Sequence, residues 1–527
     1  MKRALLFLSL QLFLIRASAQ SWNWAAQTTN STALEEGKKI CEDQSGNSYV
    51  LGTLHGNTLL SGNLTAGYFV AKFDPEGVCM WSKNLPGDLR DISANNNELY
   101  VIGSFTGSLS VNSTTYISHG FSDILLMKLD AVNGNFIWIK TEGGSGNEDG
   151  KDIVTDPLGN FYIAVDYDES FYLGSIAVAV DTLSNGLCAK ADQMGNYVWA
   201  RTVHSVYTPG YTPSLGVTDL VLDNNYRIYM AGHYFRGMRV DSIFANAEWG
   251  GVYVCAFDLN GNLEDFKPSL PGYYFETIFA DNEHKLYIIL KFGNQYGYGY
   301  ILGKYTEDFT QIFVKSYYTS GGVMPHIPVP VGGAVDQDRN VYFVYNFTDS
   351  VQLNTDTNYI YANGDQNILI EKLDSAGSYL AHFTTGNADS ITCNAVSFTS
   401  PGKIHFIGSF KDPVAFGAYT LTPDGPWPQF FAAELDVTAL AGINTTVTGR
   451  NNLQLYPNPN TGNFIVAWNA MESEALIYIQ DMVGHTVFET HSKTGQINIA
   501  LPLSPGMYLL SVKNDKTIVS KKLLITN

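Results

Sequence analysis

Three carboxylates, Asp91, Asp152 and Asp219, occupy the same position in three successive repeat units, each just ahead of an apolar run. If such units close into a ring, three equivalent side chains converge at one mouth of its channel. Their oxygens could hold a hard cation such as calcium. Paired with another acid at a suitable separation, they could instead cleave a polysaccharide by acid–base chemistry. A repeated Asp also has a plainer use, accepting backbone N–H bonds at a turn. Lys38, Arg90 and Lys151 recur one residue before the acidic position and are expected to neutralise it.

The other candidates are more scattered. Asp336-Gln337-Asp338-Arg339-Asn340 begins like a calcium loop but has no following Gly and no distant Glu, so turn chemistry is the expectation. Tyr296 to Tyr300 and Tyr207 to Tyr211 are aromatic patches in irregular segments; on projecting loops their ring faces could stack on sugar C–H surfaces, but a packed hairpin with interface Tyr is the favoured expectation, and Trp249 and Trp427 are similar. His233 and His405 are expected to be structural or surface residues, because no His-x-His pair exists. There is no Gly-x-Ser-x-Gly, His-Glu-x-x-His or P-loop pattern. Five cysteines lie singly in apolar runs and are expected to act as small hydrophobes.

These residues must be positioned by strands. A unit of strand, tight turn and strand recurs at Ile40 to Gly52, Ile92 to Gly103, Ile153 to Val165 and Leu220 to Gly232, with weaker copies from Ile278, Gly333 and Ala395. Each is followed by an apolar strand ending near an Asp, then by an aromatic strand such as those bearing Trp81, Trp138 and Trp199. Seven copies of four strands predict a seven-bladed β-propeller. The seventh copy lacks its aromatic strand, and Trp22-Asn23-Trp24-Ala25 has the pattern to supply it from the N-terminal side, hiding two sheet edges.

With 527 residues the chain is long enough for two cores, and only 15% of it is charged. Fifty acidic against 31 basic residues argue against nucleic acid as a partner. Lys2 and Arg3, an apolar stretch from Ala4 to Ile15 and Ala17-Ser18-Ala19 form an expected signal peptide over 1–19. No other stretch has the 18 to 20 apolar residues, roughly, that a membrane-spanning helix needs. The propeller is assigned to 20–439, an Asn/Thr/Gly-rich linker to 440–452, and a last domain of about seven short apolar runs to 453–527.

That last domain carries a sequence resemblance. Tyr456-Pro457-Asn458-Pro459 with Gly462, then Asp481 to Gly484, then Pro505-Gly506-Met507-Tyr508 and Lys521 resemble, in order, the C-terminal sorting domain of the type IX secretion system. The resemblance implies an immunoglobulin-like β-sandwich, recognition by the export machinery, processing by a sortase-like enzyme and an outer-membrane-surface or extracellular destination in a Gram-negative bacterium. Within it Pro457 and Pro459 are expected to stiffen the entry strand and Gly506 to make a tight turn. The repeat units are similar to β-propeller repeats of secreted bacterial proteins. Asp-Ser/Thr-apolar triplets such as Asp241-Ser242-Ile243 look like O-glycosylation sites of bacteria with this system. The expected fold is therefore all-β, a seven-bladed propeller followed by a small sandwich. Three roles stay open for the propeller: a non-catalytic module binding glycan or protein, a polysaccharide hydrolase or lyase, and a structural envelope component.

Overall fold

The computed structural model describes residues 21–437 and 453–525, apart from 96, 182–183, 248–249, 271–273, 295–296, 319–328, 337, 349, 352, 354–359, 363–365, 385–389, 399–401, 457–459, 469–474, 482–484, 494–495 and 514–517. The expected signal peptide, the linker, Trp249, Pro457, Asn458, Pro459 and Gly484 lie outside these residues. The chain divides into two compact units, Met1–Asp349 with Ala362–Asn444 and Ser350–Tyr361 with Thr445–Asn527.

One turn chemistry builds most of the first unit. At Asp43, Oδ1 accepts the N–H groups of Ser45 (2.9 Å) and Asn47 (3.0 Å), and Oδ2 accepts the Asn47 amide at 2.7 Å. Gly46 supplies the left-handed residue, with φ 78°. Asp156, Asp192 and Asp258 repeat the clasp. Asp336 does so as well, accepting the Asn340 N–H and side-chain amide at 2.8 Å each, so the calcium-like pentapeptide is a turn.

These turns fold the chain into antiparallel meanders of four strands. The first comprises Glu35–Glu42, Ser48–Leu54, Gly67–Phe73 and Cys79–Leu85. The second is Asp88–Asn95, Glu98–Phe105, Asp123–Asp130 and Phe136–Glu142, and the third is Glu148–Thr155, Phe161–Tyr167, Asn185–Ala191 and Tyr197–Ser205, extended at its outer edge by Gly237–Val240 and Ile243–Asn246. The fourth to sixth begin with Ser214–Leu222, Tyr274–Ala280 and Val329–Val335. The seventh joins Ile391–Ser397, Lys403–Phe410 and Gln429–Asp436 to Ser21–Gln27, paired from Ser21 opposite Asp436 to Gln27 opposite Phe431 with a one-residue slip at Asn23. Among the described residues these seven sheets form a ring: each first strand packs on the first strand of the next sheet, and that of the seventh on that of the first.

The core lies between neighbouring sheets. Tyr100 and Ile102 of the second pack with Phe161 and Ile163 of the third, and Phe69 of the first packs with Phe430 of the seventh. Each such side chain contributes about 1.5–3 kcal/mol on burial. The repeated Trp locks adjacent sheets. Trp81 Nε1 donates to the Ala131 carbonyl of the second sheet at 3.2 Å, and Trp199 Nε1 to the Leu259 carbonyl of the fourth at 3.0 Å. Gly134 and Gly261, both at positive φ, lie against these two rings.

The second unit contains a three-stranded sheet (Gln454–Tyr456, Asn463–Ala467, Gln496–Ala500) and a four-stranded one (Thr486–Ser492, Ala475–Gln480, Gly506–Lys513, Ile518–Ile525). Phe464, Val466, Ile477, Ile479, Leu510 and Leu523 share one core. Gly462, at φ 97°, donates its N–H to Asn460 Oδ1 at 2.7 Å, and Lys521 Nζ donates to the Leu453 carbonyl at 3.2 Å. Tyr508 closes onto the Ser504 carbonyl at 2.9 Å, beside exposed Pro505. Gly506 makes no tight turn: it opens a strand and pairs with Ile525, because the chain is already extended there. No helix among the described residues is long and apolar enough to cross a membrane.

Candidate functional site

The ring encloses a channel of about 700 Å³ lined by the first strands. In all seven, the pairing register slips by one residue, at Lys38, Arg90, Lys151, Thr218, Glu276, Val331 and Asn394. Such a bulge re-aims the side chains around it. The three acids of the sequence pattern follow the bulge directly, and Lys39 holds the same place in the first sheet.

The structure brings Asp91, Asp152 and Asp219 together on the channel wall, well inside their strands. Each staples its sheet to the next. Asp91 Oδ2 accepts the Ile153 N–H at 3.1 Å, Asp152 Oδ2 the Leu220 N–H at 2.9 Å, and Asp219 Oδ2 the Ile278 N–H at 2.9 Å. Asp219 also accepts the Thr277 hydroxyl at 2.7 Å. Burial, then the charges of Asp91 and Asp219, push the Asp152 carboxyl well above the usual carboxylate range. Lys39 Nζ lies 3.5 Å from Asp91 Oδ1, and that charge raises the Lys39 ammonium above its ordinary range.

The expected neutralising series is corrected here. Lys38 lies 3.7 Å from Glu36, Arg90 pairs with Asp88 (2.8 Å) and Asp149 (3.5 Å), and Lys151 bridges Asp149 (2.7 Å) and Asp166 (3.3 Å). The bulge separates these cations from the residue after them, so they serve acids nearer one end of the channel. Lys151 and Arg90 hold Asp149 below the usual range against the opposing effect of burial, while burial raises Asp166 to about 6. Among the described residues, no three His, Cys, Asp or Glu side chains are arranged to hold a metal ion.

A second feature follows from topology. In a four-stranded meander the first-to-second and third-to-fourth connections lie at one end, and the remaining connections at the other. The first end carries the tight Asp turns. The second carries added hairpins, at Thr58–Leu59/Asn63–Leu64, Ser108–Val111/Thr114–Ile117, Phe171–Leu173/Ile176–Val178, Gly237–Val240/Ile243–Asn246 and Val414–Phe416/Tyr419–Leu421. Nine large aromatic side chains are exposed among the described residues: Phe121, Tyr172, Tyr207, Tyr211, Tyr226, Phe244, Tyr274, Tyr419 and Trp427. All but Tyr226 belong to connections or strand ends at the hairpin end.

One aromatic cluster there contains Tyr211. Its ring meets Phe235 edge-on at 5.8 Å, and the Arg236 guanidinium lies over it at 3.9 Å. His233 packs edge-on to Tyr274 at 6.0 Å, and burial lowers its pKa. The Tyr296 to Tyr300 patch, of which Tyr296 lies outside the described residues, agrees with the packed hairpin favoured over a projecting loop. Gly297–Tyr305 is a strand paired with Leu286–Asn294, and Tyr300 is buried, because alternating Gly and Tyr satisfy a pleat. His405 is buried between Glu42 and Glu434. All five cysteines are free thiols.

Sequence reasoning found the channel acids but missed the hairpins, whose strands are two to four residues long and leave little periodicity to read.

Residues 454–526 match the family described as the secretion system C-terminal sorting domain. No curated protein matches the chain. Among solved structures, the chain is similar to BamB from Moraxella catarrhalis at 11% identity and a TM-score of 0.32, over 76% of this chain and 84% of that one. It is similar to a virginiamycin B lyase from Staphylococcus aureus at 10% identity and a TM-score of 0.37, over 78% and 98%. For Drosophila Semaphorin 2a the values are 7% and 0.39, over 93% and 97%.

Proposed function

We propose that this chain is an exported, non-catalytic binding protein whose hairpin end takes up glycan. In this reading the seven sheets are the blades of a seven-bladed β-propeller over residues 20–439. The segment 440–452 links it to an immunoglobulin-like sandwich at 453–527, which addresses the chain to the type IX machinery. A sortase-like enzyme then processes that domain and leaves the propeller at the outer-membrane surface or outside the cell.

One observation carries the binding role: eight of the nine exposed aromatic rings belong to one end of the ring of sheets. Exposed rings cost solvation that folding does not recover, and loops on a rigid scaffold are where such surfaces serve ligands. Tyr and Trp present a flat apolar face beside a polar tip, which suits the alternating C–H and hydroxyl surface of a sugar. The channel acids support a non-catalytic reading, since Asp91, Asp152 and Asp219 each commit an oxygen to the backbone of the next sheet.

The test is an array of printed and soluble glycans probed with the mature chain. Binding that Tyr207→Ala and Tyr274→Ala weaken together supports the reading. Silence towards all glycans, with capture of a defined protein at the same surface, replaces sugar by protein as the ligand.

A further inference from the structure

Four sheets begin their third strand with a buried polar side chain: Asp123, Asn185, Asn367 and Gln429, each no more than 1% exposed. Three of these are neutral amides, and Asp123 is the acid. The third sheet brings a second acid to it. Glu148, the first residue of Glu148–Thr155, is also fully buried, and both carboxyl groups press on Gly143. A Cβ on that glycine would stand 2.6 Å from Asp123 Oδ1 and 2.8 Å from Glu148 Oε2. Two acids crowded into one dry junction cannot both ionise without a large cost.

Their other partners say where the proton resides. The His119 N–H donates to Asp123 Oδ1 at 3.0 Å and Oδ2 at 3.1 Å, and His119 Nδ1 lies 2.9 Å from Oδ2. Both Asp123 oxygens therefore serve as acceptors for the His119 backbone. Glu148 Oε2 accepts the Gly144 N–H at 2.9 Å, while Oε1 has no hydrogen-bond partner among the described residues. Burial, then Asp123, Asp168 and Glu169, push Glu148 up to about 7. The remaining ionisable neighbours are committed elsewhere. Asp168 accepts two bonds from Asn147 at 2.7 Å, Glu169 accepts the Ser145 hydroxyl, and Glu142 accepts the Gly174 N–H at 3.1 Å. Lys140 donates to the Gly195 carbonyl at 2.7 Å.

We propose that the junction of the second and third sheets is a proton-operated latch, in which a proton on Glu148, crowded against Gly143 with Asp123, holds the 143–147 loop and the Phe121 tip in place. The mechanical link is short. Phe121 donates its N–H to the Gly146 carbonyl at 3.0 Å, and Glu148 donates its own to the Ser122 carbonyl at 2.9 Å. Loss of the proton puts two like charges beneath that pairing. Phe121 is 73% exposed at the hairpin end, so the consequence for ligand binding rests on the function proposed above; the latch itself does not.

Hydrogen–deuterium exchange of the mature chain at pH 6 and 8.5, with labelling times scaled for intrinsic exchange, tests it without ligand. Peptides covering 117–123 and 142–149 are expected to lose about tenfold in protection at the higher pH. Those covering the Asn185 junction are expected to stay unchanged. Glu148→Gln should hold its pH 6 protection at pH 8.5. Asp123→Asn, which copies the amide of the third and sixth sheets, should move the midpoint by about one pH unit. Unchanged wild-type protection, or a Glu148→Gln chain that keeps the wild-type pH dependence, overturns the proposal. If Glu148→Gln does not fold, an unmoved midpoint in Asp123→Asn overturns it. A failure of glycan binding leaves this experiment unaffected.

Discussion

His405 Nδ1 lies 2.6 Å from Glu42 Oε1, and this contact joins the seventh sheet to the first where the ring closes. On its other side His405 Nε2 is 2.7 Å from Glu434, which also pairs with Lys403 at 2.8 Å and accepts the side-chain amide of Asn23 on the N-terminal strand. One imidazolium therefore holds three segments that are far apart in the chain.

The triad makes ring closure depend on pH. Burial opposes the charge on His405, but the adjacent carboxylates of Glu42 and Glu434 prevail and raise its pKa from 6.5 to about 9. A raised histidine stabilises the fold fully below about pH 6.5 and loses that contribution as pH rises through about 9. Glu434, held down to about 2 by His405, Lys403 and Asn23 against the effect of burial, contributes fully above about pH 4.5 and loses it as pH falls through 2. The triad should therefore be strongest between about pH 4.5 and 6.5. Denaturant titrations from pH 6 to 10 should show a loss of roughly 3 kcal/mol that His405→Ala abolishes. An equal loss in the variant would assign the pH dependence elsewhere.

Asp152 should behave as a structural acid. Asp152→Asn keeps an oxygen for the Leu220 N–H and should change stability by less than about 1 kcal/mol, because the native carboxyl is already driven towards its neutral form. Asp152→Ala leaves that buried donor unpaired and should cost about 1–3 kcal/mol. Equal melting temperatures for Asp152→Ala and the wild type would deny the staple. An activity lost without any change in melting would revive a catalytic role.

Export should depend on the last domain. A chain ending before Leu453 is expected to accumulate in the periplasm with its propeller folded, as read by fractionation and protease protection. Normal amounts of the truncated chain at the surface would show that 453–527 is not its address.

Much of this was legible in the sequence, for physical reasons. Asp-initiated turns and Trp-bearing outer strands recur because several junctions between neighbouring sheets use similar contacts, such as Trp81 on Ala131 and Trp199 on Leu259. The acids after the bulge were readable as a repeated position, but the bulge itself was not, so Lys38 was expected to do what Lys39 does. The Asp123–Glu148 pair was hidden because its partners are 25 residues apart on different sheets and neither stands out by composition. In the Tyr296 to Tyr300 segment alternating Gly and Tyr fit a loop and a strand alike, and the favoured packed hairpin is what Gly297–Tyr305 forms with Leu286–Asn294.

The central claim is that the hairpin end binds glycan, and a paired-variant affinity measurement tests it most directly. With a glycan identified on the array, Tyr207→Ala/Tyr274→Ala at the hairpin end should weaken binding at least about tenfold, or about 1.4 kcal/mol. Tyr226→Ala at the opposite end should leave it unchanged, and all three chains should melt alike. Equal affinities for the two variants, or a loss confined to Tyr226→Ala, would contradict the account.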